Sequence, residues 1–278
     1  MAKELTKSEE IERSIITKFR KKLWRPFILA IKKYELIAPG DKIAVCISGG
    51  KDSMLLAKLM QELHRHSEFD FDLVFLVMDP GYNEKNRKKI EDNAKLLNIP
   101  ITIFETNIFD VTSSEASDSP CYLCARMRRG YLYSKAKQLG CNKIALGHHK
   151  SDVIETTLMS MLNSGQLQGM LPKLKSKNFE GMELIRPLYC ILEKDIIGWQ
   201  TYNNLEFIAC ACKLTSKSEA NEIVSTRKQT KQLIARLKED NPNVEKNIFK
   251  SIENVQLDTM VEYKKDGVRH NNVTGKTE

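Results

Sequence analysis

Four clusters in this 278-residue sequence combine residue types and spacings that could do chemistry. The first is Ser48-Gly49-Gly50-Lys51-Asp52-Ser53, which follows the apolar run Ile43–Ile47 and precedes Leu55, Leu56, Leu59 and Leu63 at helical spacing. A strand that stops at two glycines and gives way to a helix gathers backbone N–H groups beside a positive helix terminus, with Ser53 available as a cap. Such a turn is an anion cradle. The Gly-x-x-x-x-Gly-Lys-Ser/Thr spacing of a Walker A loop is absent. The second and third clusters are the C-x-x-C of Cys121 and Cys124 and the C-x-C of Cys210 and Cys212. Seven cysteines, an odd number with no secretory signal, argue against a disulfide framework and for metal or redox use of the clustered four. Cys46, Cys141 and Cys190 stand among apolar neighbours and read as small buried hydrophobes. The fourth cluster is Gly147-His148-His149, with Asp152 close behind.

Several elements must hold these clusters in place. Apolar residues Ile11, Ile15, Phe19, Leu23, Phe27 and Ile31 recur every four positions and predict one long amphipathic helix from about Ser8 to Tyr34. Its polar side carries Lys18, Arg20, Lys21, Lys22, Arg25, Lys32 and Lys33, a face fit for phosphate or for water. The strand Ile43–Ile47 leads into the cradle. A second strand, Leu73–Val77, ends at Met78-Asp79-Pro80-Gly81, which puts Asp79 at the carboxyl end where sheets of this kind bind nucleotides. A helix at Glu84–Leu97, a strand at Ile101–Phe104, a polar loop at 113–120, a helix at Cys121–Leu139 and a strand at Lys143–Leu146 continue the alternation. A helix at Asp152–Leu162 follows. Beyond an irregular stretch at Gly165–Lys177, strands are expected at Leu184–Leu188 and Phe207–Ala211, with a helix at Glu193–Tyr202 between them. Helices at Ser216–Lys238 and Val244–Val255 close the ordered part, and the last residues have little to bury.

This pattern predicts an α/β fold, an open parallel sheet of about five strands with flanking helices. The expected segments are an N-terminal helix at 1–40, the sheet domain at 41–212, C-terminal helices at 213–264 and a disordered tail at 265–278. No apolar run approaches the roughly 20 residues needed to cross a bilayer, and no signal segment opens the sequence, so no membrane association and a cytoplasmic location are expected. Lys and Arg number 44 against 36 Asp and Glu, a net charge of +8 that favours an acidic partner such as nucleic acid.

SGGKDS resembles the PP-loop, S-G-G-x-D-S, of the N-type ATP pyrophosphatases. Together with CYLCARMRRGYLYSKAKQLGCNKIALGHHKSDVIETTL, SGQLQGMLPKL and IRPLYCILEKDI, running in order from about residue 40 to 212, it is similar to the tRNA 2-thiocytidine synthetase (TtcA-like) family. The resemblance implies a Rossmann-like PP-loop fold and ATP-dependent replacement of a base carbonyl oxygen by sulfur in tRNA, at cytidine 32 in the original members. It implies cleavage between the α and β phosphates, with AMP and pyrophosphate as products. Ser48, Gly49, Gly50, Lys51, Asp52 and Ser53 match the phosphate loop, with Lys51 neutralising phosphate charge and Asp52 suited to Mg2+, a hard cation. Gly147, His148 and Asp152 would sit opposite, near the nucleotide.

In this family three cysteines hold a [4Fe-4S] cluster with one iron open for a hydrosulfide. Cys121 and Cys124 match directly. Where original members carry a second C-x-x-C followed by Gly, this chain has Cys-Ala-Cys-Lys, which leaves Cys212 as the favoured third ligand over Cys210. A second departure is His149-Lys150-Ser151-Asp152 in place of paired aspartates. A structural zinc on all four clustered cysteines is the competing reading. With tRNA as the partner, the basic residues Lys21, Lys22, Arg25, Arg128 and Arg129 are expected on the face where the target loop enters; the resemblance also implies a sulfur donor such as a cysteine desulfurase and leaves a homodimer open. Two other classes compete: a PP-loop enzyme adenylating another base or a small molecule, which would need no cysteines, and a non-catalytic iron-sulfur or zinc protein, which would need no intact SGGKDS.

Overall fold

The computed structural model of the chain describes residues 5–109, 120–208 and 226–277, with side chains throughout these except at 120–125. The chain divides into two compact units, one formed by Met1–Val153 and Met170–Val224, the other by Ile154–Gly169 and Ser225–Glu278.

The larger unit is built on a six-stranded sheet. Its strands are β1 (Lys42–Ile47), β2 (Asp72–Asp79), β3 (Ile101–Glu105), β4 (Lys143–Ala145), β5 (Lys173–Lys175) and β6 (Glu183–Ile185), in spatial order β3-β2-β1-β4-β6-β5. β1 pairs in parallel with β2 on one side, Ile43 opposite Leu73, and with β4 on the other, Ile43 opposite Lys143. The chain order therefore reverses between β1 and β4, the place in an open α/β sheet where a crevice forms beyond the strand ends. Ile43, Ala44, Val45 and Ile47 are buried, as a strand covered on both faces requires. Against the sheet pack α3 (Lys51–His66), through Met54, Leu55, Leu56 and Leu59, and α5 (Pro120–Gln138), through Tyr133 and Ala136. Helices α4 (Glu84–Leu96) and α7 (Glu193–Tyr202) complete the regular elements among this unit's described residues apart from its N-terminal segment, and α6 (Lys150–Ser164) follows β4 and continues into the smaller unit.

The structure departs from several expectations. The stretch read as one N-terminal helix is α1 (Lys7–Ile16), a π-helical segment (Arg20–Trp24) and α2 (Arg25–Lys33). Pro26 lacks the N–H that would continue the ladder, and the turn before it widens, with Phe19 N–H reaching Ser14 O and Arg25 N–H reaching Arg20 O. The apolar stripe survives the break: Ile11, Ile15, Phe19, Leu23, Phe27 and Ile31 are all buried. The segment Gly165–Lys177 contains a short antiparallel edge strand, β5, with Lys173 opposite Ile185. The expected strand at Leu184–Leu188 stops at Ile185, just before Arg186 and Pro187. Phe207 and Ile208 carry no strand, and the rest of Phe207–Ala211 lies outside the described residues.

In the smaller unit, α8 (Thr226–Asp240) and α9 (Val244–Ser251) are followed by a hairpin of β7 (Glu262–Lys265) and β8 (Val268–Asn271). The hairpin takes in residues 265–271 of the expected disordered tail. Asp266 and Gly267, at φ +52° and +89°, form the two-residue turn that suits a right-twisted hairpin, and Tyr263 stacks on His270 across it. No helix among the described residues is long and apolar enough to cross a membrane.

Candidate active site

The carboxyl end of β1 runs straight into the phosphate loop. Gly49 adopts φ +83°, and a Cβ there would lie 2.5 Å from Ile90 Cγ1, so the tight turn needs glycine on both counts. Gly50 is the N-cap of α3 and uses no side chain to cap it. Ser53 is buried and does not cap the helix; from its third position the hydroxyl reaches back, accepting from Ser48 N–H at 3.1 Å and donating to Gly50 O at 2.9 Å. Knitted this way, the loop keeps the first N–H groups of a 16-residue helix clear for an anion.

Opposite the loop stands the turn after β4. A Cβ on Gly147 would meet the Asp52 carbonyl carbon and Ser53 N at 3.1 Å, so the two backbones close on each other only because residue 147 has no side chain. Behind it, Asp152 in the first turn of α6 accepts from His149 N–H at 2.8 Å. His148 Nδ1 accepts from Arg186 Nε at 3.3 Å, and Arg186 also donates to Leu171 O. Burial pushes the Arg186 guanidinium down to about 10, which leaves it cationic at neutral pH.

These elements enclose a cavity of about 580 Å³ beyond the ends of β1 and β4. It is lined by Ser48, Asp52 and Ser53 from the loop, Gly147, His148 and Asp152 from the facing turn, Arg128 and Arg129 from α5, and Arg186. The volume and the concentration of cations and N–H donors suit a nucleoside phosphate. Eight residues expected from sequence thus meet at one cavity: Ser48, Asp52, Ser53, Gly147, His148, Asp152, Arg128 and Arg129. Lys51 lies beside it, its ammonium 3.1 Å from Asp52 Oδ2 and 3.0 Å from Glu193 Oε1. Burial works to lower the Lys51 pKa, but Asp52 and Glu193 outweigh it and raise it overall, so the ammonium stays charged.

Asp79 does not join them. Its Oδ1 accepts from Gly81 N–H at 2.9 Å and Tyr82 N–H at 2.7 Å, its Oδ2 from Arg87 at 2.9 Å, and it lines a different cavity with Arg87, Glu105 and Thr106. Of the expected RNA-contacting residues on the N-terminal segment, Lys21, Lys22 and Arg25 are exposed, and Lys22 lies 3.8 Å from Asp195 in the same first turn of α7 that carries Glu193. Sequence reading gave no role to Arg186, which lines the cavity, or to His149 and Glu193, which stand against Asp52 and Lys51 beside it. The only signals were the second histidine of GHH and the polar residues within IRPLYCILEKDI.

Two donor sets bear on cofactors. Among the described residues Asp52 Oδ1 is buried with no hydrogen-bond partner, and Asp152 lines the same cavity, so hard carboxylate oxygens suited to Mg2+ stand at the phosphate loop and across from it. Cys121 and Cys124 fall one turn apart at the start of α5, the helix that supplies Arg128 and Arg129, and paired thiolates suit an iron-sulfur cluster. Cys210 and Cys212 lie outside the described residues. Cys46 and Cys141 pack in the core with Ala44, Leu76 and Ile144. Burial pushes the Cys46 thiol up to about 12, which keeps it protonated and a poor ligand.

Residues 18–226 match the PP-loop domain family. The chain is 35% identical over 229 residues to the tRNA-cytidine(32) 2-sulfurtransferase of Citrifermentans bemidjiense, covering 81% of this chain and 87% of that one. To the tRNA-cytidine(32) 2-sulfurtransferase of Geotalea uraniireducens it is 33% identical over 260 residues, covering 91% and 99%. Among solved structures, the fold is similar to that of the U34-tRNA thiolase NcsA from Methanococcus maripaludis with its [4Fe-4S] cluster, at a TM-score of 0.66 and 19% identity over 86% of this chain and 80% of that one. With the SGGKDS loop and the GHH turn closing on one cavity, and with relatives of this similarity along most of its length, the chain belongs to the PP-loop family that contains the tRNA-cytidine(32) 2-sulfurtransferases.

Proposed function

We propose that this protein is an ATP-dependent tRNA sulfurtransferase that replaces the C2 carbonyl oxygen of a cytidine, at position 32 of the anticodon loop, with sulfur. The observation that carries the reading is the cavity itself, where the SGGKDS loop, the GHH turn and the arginines of the helix beginning at Cys121 and Cys124 converge. Position 32 rests on the names of the relatives.

The chemistry follows from what each group can do. The amide donors of the loop and α3 N-terminus hold the β and γ phosphates, while Lys51 and Arg186 supply charge near them. The C2 oxygen of the base attacks the α-phosphorus and pyrophosphate leaves, which turns a poor leaving group into a good one. Hydrosulfide then attacks C2, the C2–O bond breaks so that AMP departs, and loss of the S–H proton leaves C2=S. Asp52 and Asp152 would hold Mg2+, which neutralises phosphate charge when bound. Cys121, Cys124 and Cys212 would hold a [4Fe-4S] cluster, which supplies an open iron at which sulfide can be carried. The sulfur comes from a donor of the cysteine desulfurase kind, whose persulfide sulfur a thiol reductant must first release as sulfide, itself becoming disulfide. Arg128 and Arg129 lie seven and eight residues beyond Cys121, about 10 to 12 Å along the helix, so one rigid element spans sulfur carriage and nucleotide binding.

The test combines product analysis with a site variant. Anaerobically prepared protein given ATP, sulfide and tRNA should release AMP and pyrophosphate and yield 2-thiocytidine by nucleoside mass spectrometry. Asp52→Ala should lose that activity with the brown chromophore intact, whereas Cys121→Ser should lose both. Release of ADP and phosphate, or colourless protein carrying stoichiometric zinc, would overturn the reading.

A further inference from the structure

His149 immediately precedes α6, in the N-cap position, and is 3% exposed. Its own N–H donates to Asp152 Oδ2 at 2.8 Å, and the Asp152 N–H donates back to its Nδ1 at 3.3 Å, a reciprocal pair of the capping-box kind. Nδ1 also lies 3.2 Å from Asp152 Oδ2, an oxygen already engaged by the His149 N–H. With Nδ1 accepting from the Asp152 N–H, the neutral ring is assigned its proton on Nε2. Nε2 faces Asp52 Oδ1 at 3.7 Å, and among the described residues that oxygen is buried with no hydrogen-bond partner, while Oδ2 is held by Lys51. Asp52 lines the nucleotide cavity and His149 does not. The imidazole therefore reaches the site through the two carboxylates it touches, Asp152 at Nδ1 and Asp52 at Nε2.

We propose that His149 is a positioning residue that links the α6 terminus to the phosphate loop, its Nε2–H fixing the rotation of the Asp52 carboxylate so that Oδ1 stays aimed at the nucleotide. This rests on the reading of Asp52 as a residue that works on ATP. The separation of 3.7 Å is long for a hydrogen bond and closes with a small shift, of the kind that accompanies substrate binding. Without the Nε2 donor, Asp52 is free to turn toward Lys51, the cation already beside it, and both charges are then misplaced for the phosphates. The loop amides that hold ATP are untouched.

The two nitrogens can be separated by substitution. Asparagine is a preferred N-cap and keeps an acceptor at the Nδ1 position but has nothing at Nε2; glutamine carries a donor at the distance of Nε2. With ATP and tRNA as the probes, His149→Asn should keep the wild-type unfolding midpoint and lower kcat for AMP release by about tenfold to a hundredfold, a loss typical of a misplaced catalytic group. Its KM for ATP should stay within about threefold of wild type, since uniform binding is retained. His149→Gln should recover most of the kcat. Wild-type turnover in His149→Asn, or a glutamine variant no better than the asparagine variant at equal stability, overturns the proposal. Should His149→Asn unfold, His149→Ser takes its place, and wild-type turnover there overturns it equally. Asp52→Ala in parallel separates the two ideas. If it turns over normally, the reading of the loop fails; if it is inactive while His149→Asn is not, only the role of His149 fails.

Discussion

Two glycines of the site, Gly49 and Gly147, fail in different ways when given a side chain. At Gly49 the positive φ and the clash of an added Cβ with Ile90 and Ile208 act together, so Gly49→Ala should destabilise the fold by about 2 kcal/mol or more, read from a denaturant midpoint. At Gly147 the nearest atoms to an added Cβ are the backbone of Asp52 and Ser53 at 3.1 Å, which cannot rotate away as a side chain can. The phosphate loop must then shift as a unit. Gly147→Ala should raise the KM for ATP by about tenfold with a small change in midpoint, because the displaced groups serve the nucleotide more than the core.

Among the elements, β4 owes its place to a buried polar staple. Lys143 Nζ donates to Asp41 Oδ2 at 2.6 Å and to Leu36 O at 3.1 Å, Asn142 Nδ2 donates to Asp41 Oδ1 at 2.8 Å, and Ala38 N–H donates to Asp41 Oδ2 at 2.6 Å. These tie the loop after α2 to the strand whose end carries the GHH turn. Burial alone would raise the Asp41 pKa, but the bonds from Lys143, Ala38 and Asn142 outweigh it and hold the pKa below its ordinary value of 3.8. Because the folded-state pKa is depressed, the stabilisation is complete above the unfolded value and fades as pH falls through the lowered one. Asp41→Asn takes the nearer carboxylate from buried Lys143, which keeps Glu183 at 3.5 Å, and should cost about 2 kcal/mol at pH 7. The gap between variant and wild type should shrink as pH drops below 3.8, in unfolding curves taken across that range.

For the molecule as a whole, the net charge of +8 matters through where the cations sit. Lys21, Lys22 and Arg25 are exposed on the N-terminal segment, and Arg128 and Arg129 line the cavity. Phosphate contacts position RNA without reading its sequence. Changing Lys21, Lys22 and Arg25 together to Glu should weaken every tRNA alike and make the slope of log affinity against log salt shallower by about one for each phosphate no longer engaged. ATP binding should persist, since the loop amides are unaffected. Unchanged tRNA affinity and salt slope in this variant would assign the segment to solvent.

Local patterns in the sequence determine what depends on neighbours along the chain. The apolar run before SGGKDS dictates a strand covered on both faces, the stripe from Ile11 to Ile31 dictates a buried helical face even through the π-helical segment, and the two glycines dictate the turn. Asp266-Gly267 is a legible hairpin signal, which the low hydrophobicity of the tail obscures. Tertiary structure decides which side chains meet. Asp79 sits at a strand end as its position demands, yet the Gly81 and Tyr82 amides and Arg87 take its carboxylate, a competition for hydrogen bonds that periodicity does not record. His149 approaches Asp52 from far along the chain, and Arg186 reaches His148, because β4 lies between β1 and β6. Strand order is set by the burial of whole faces, and no local spacing encodes it.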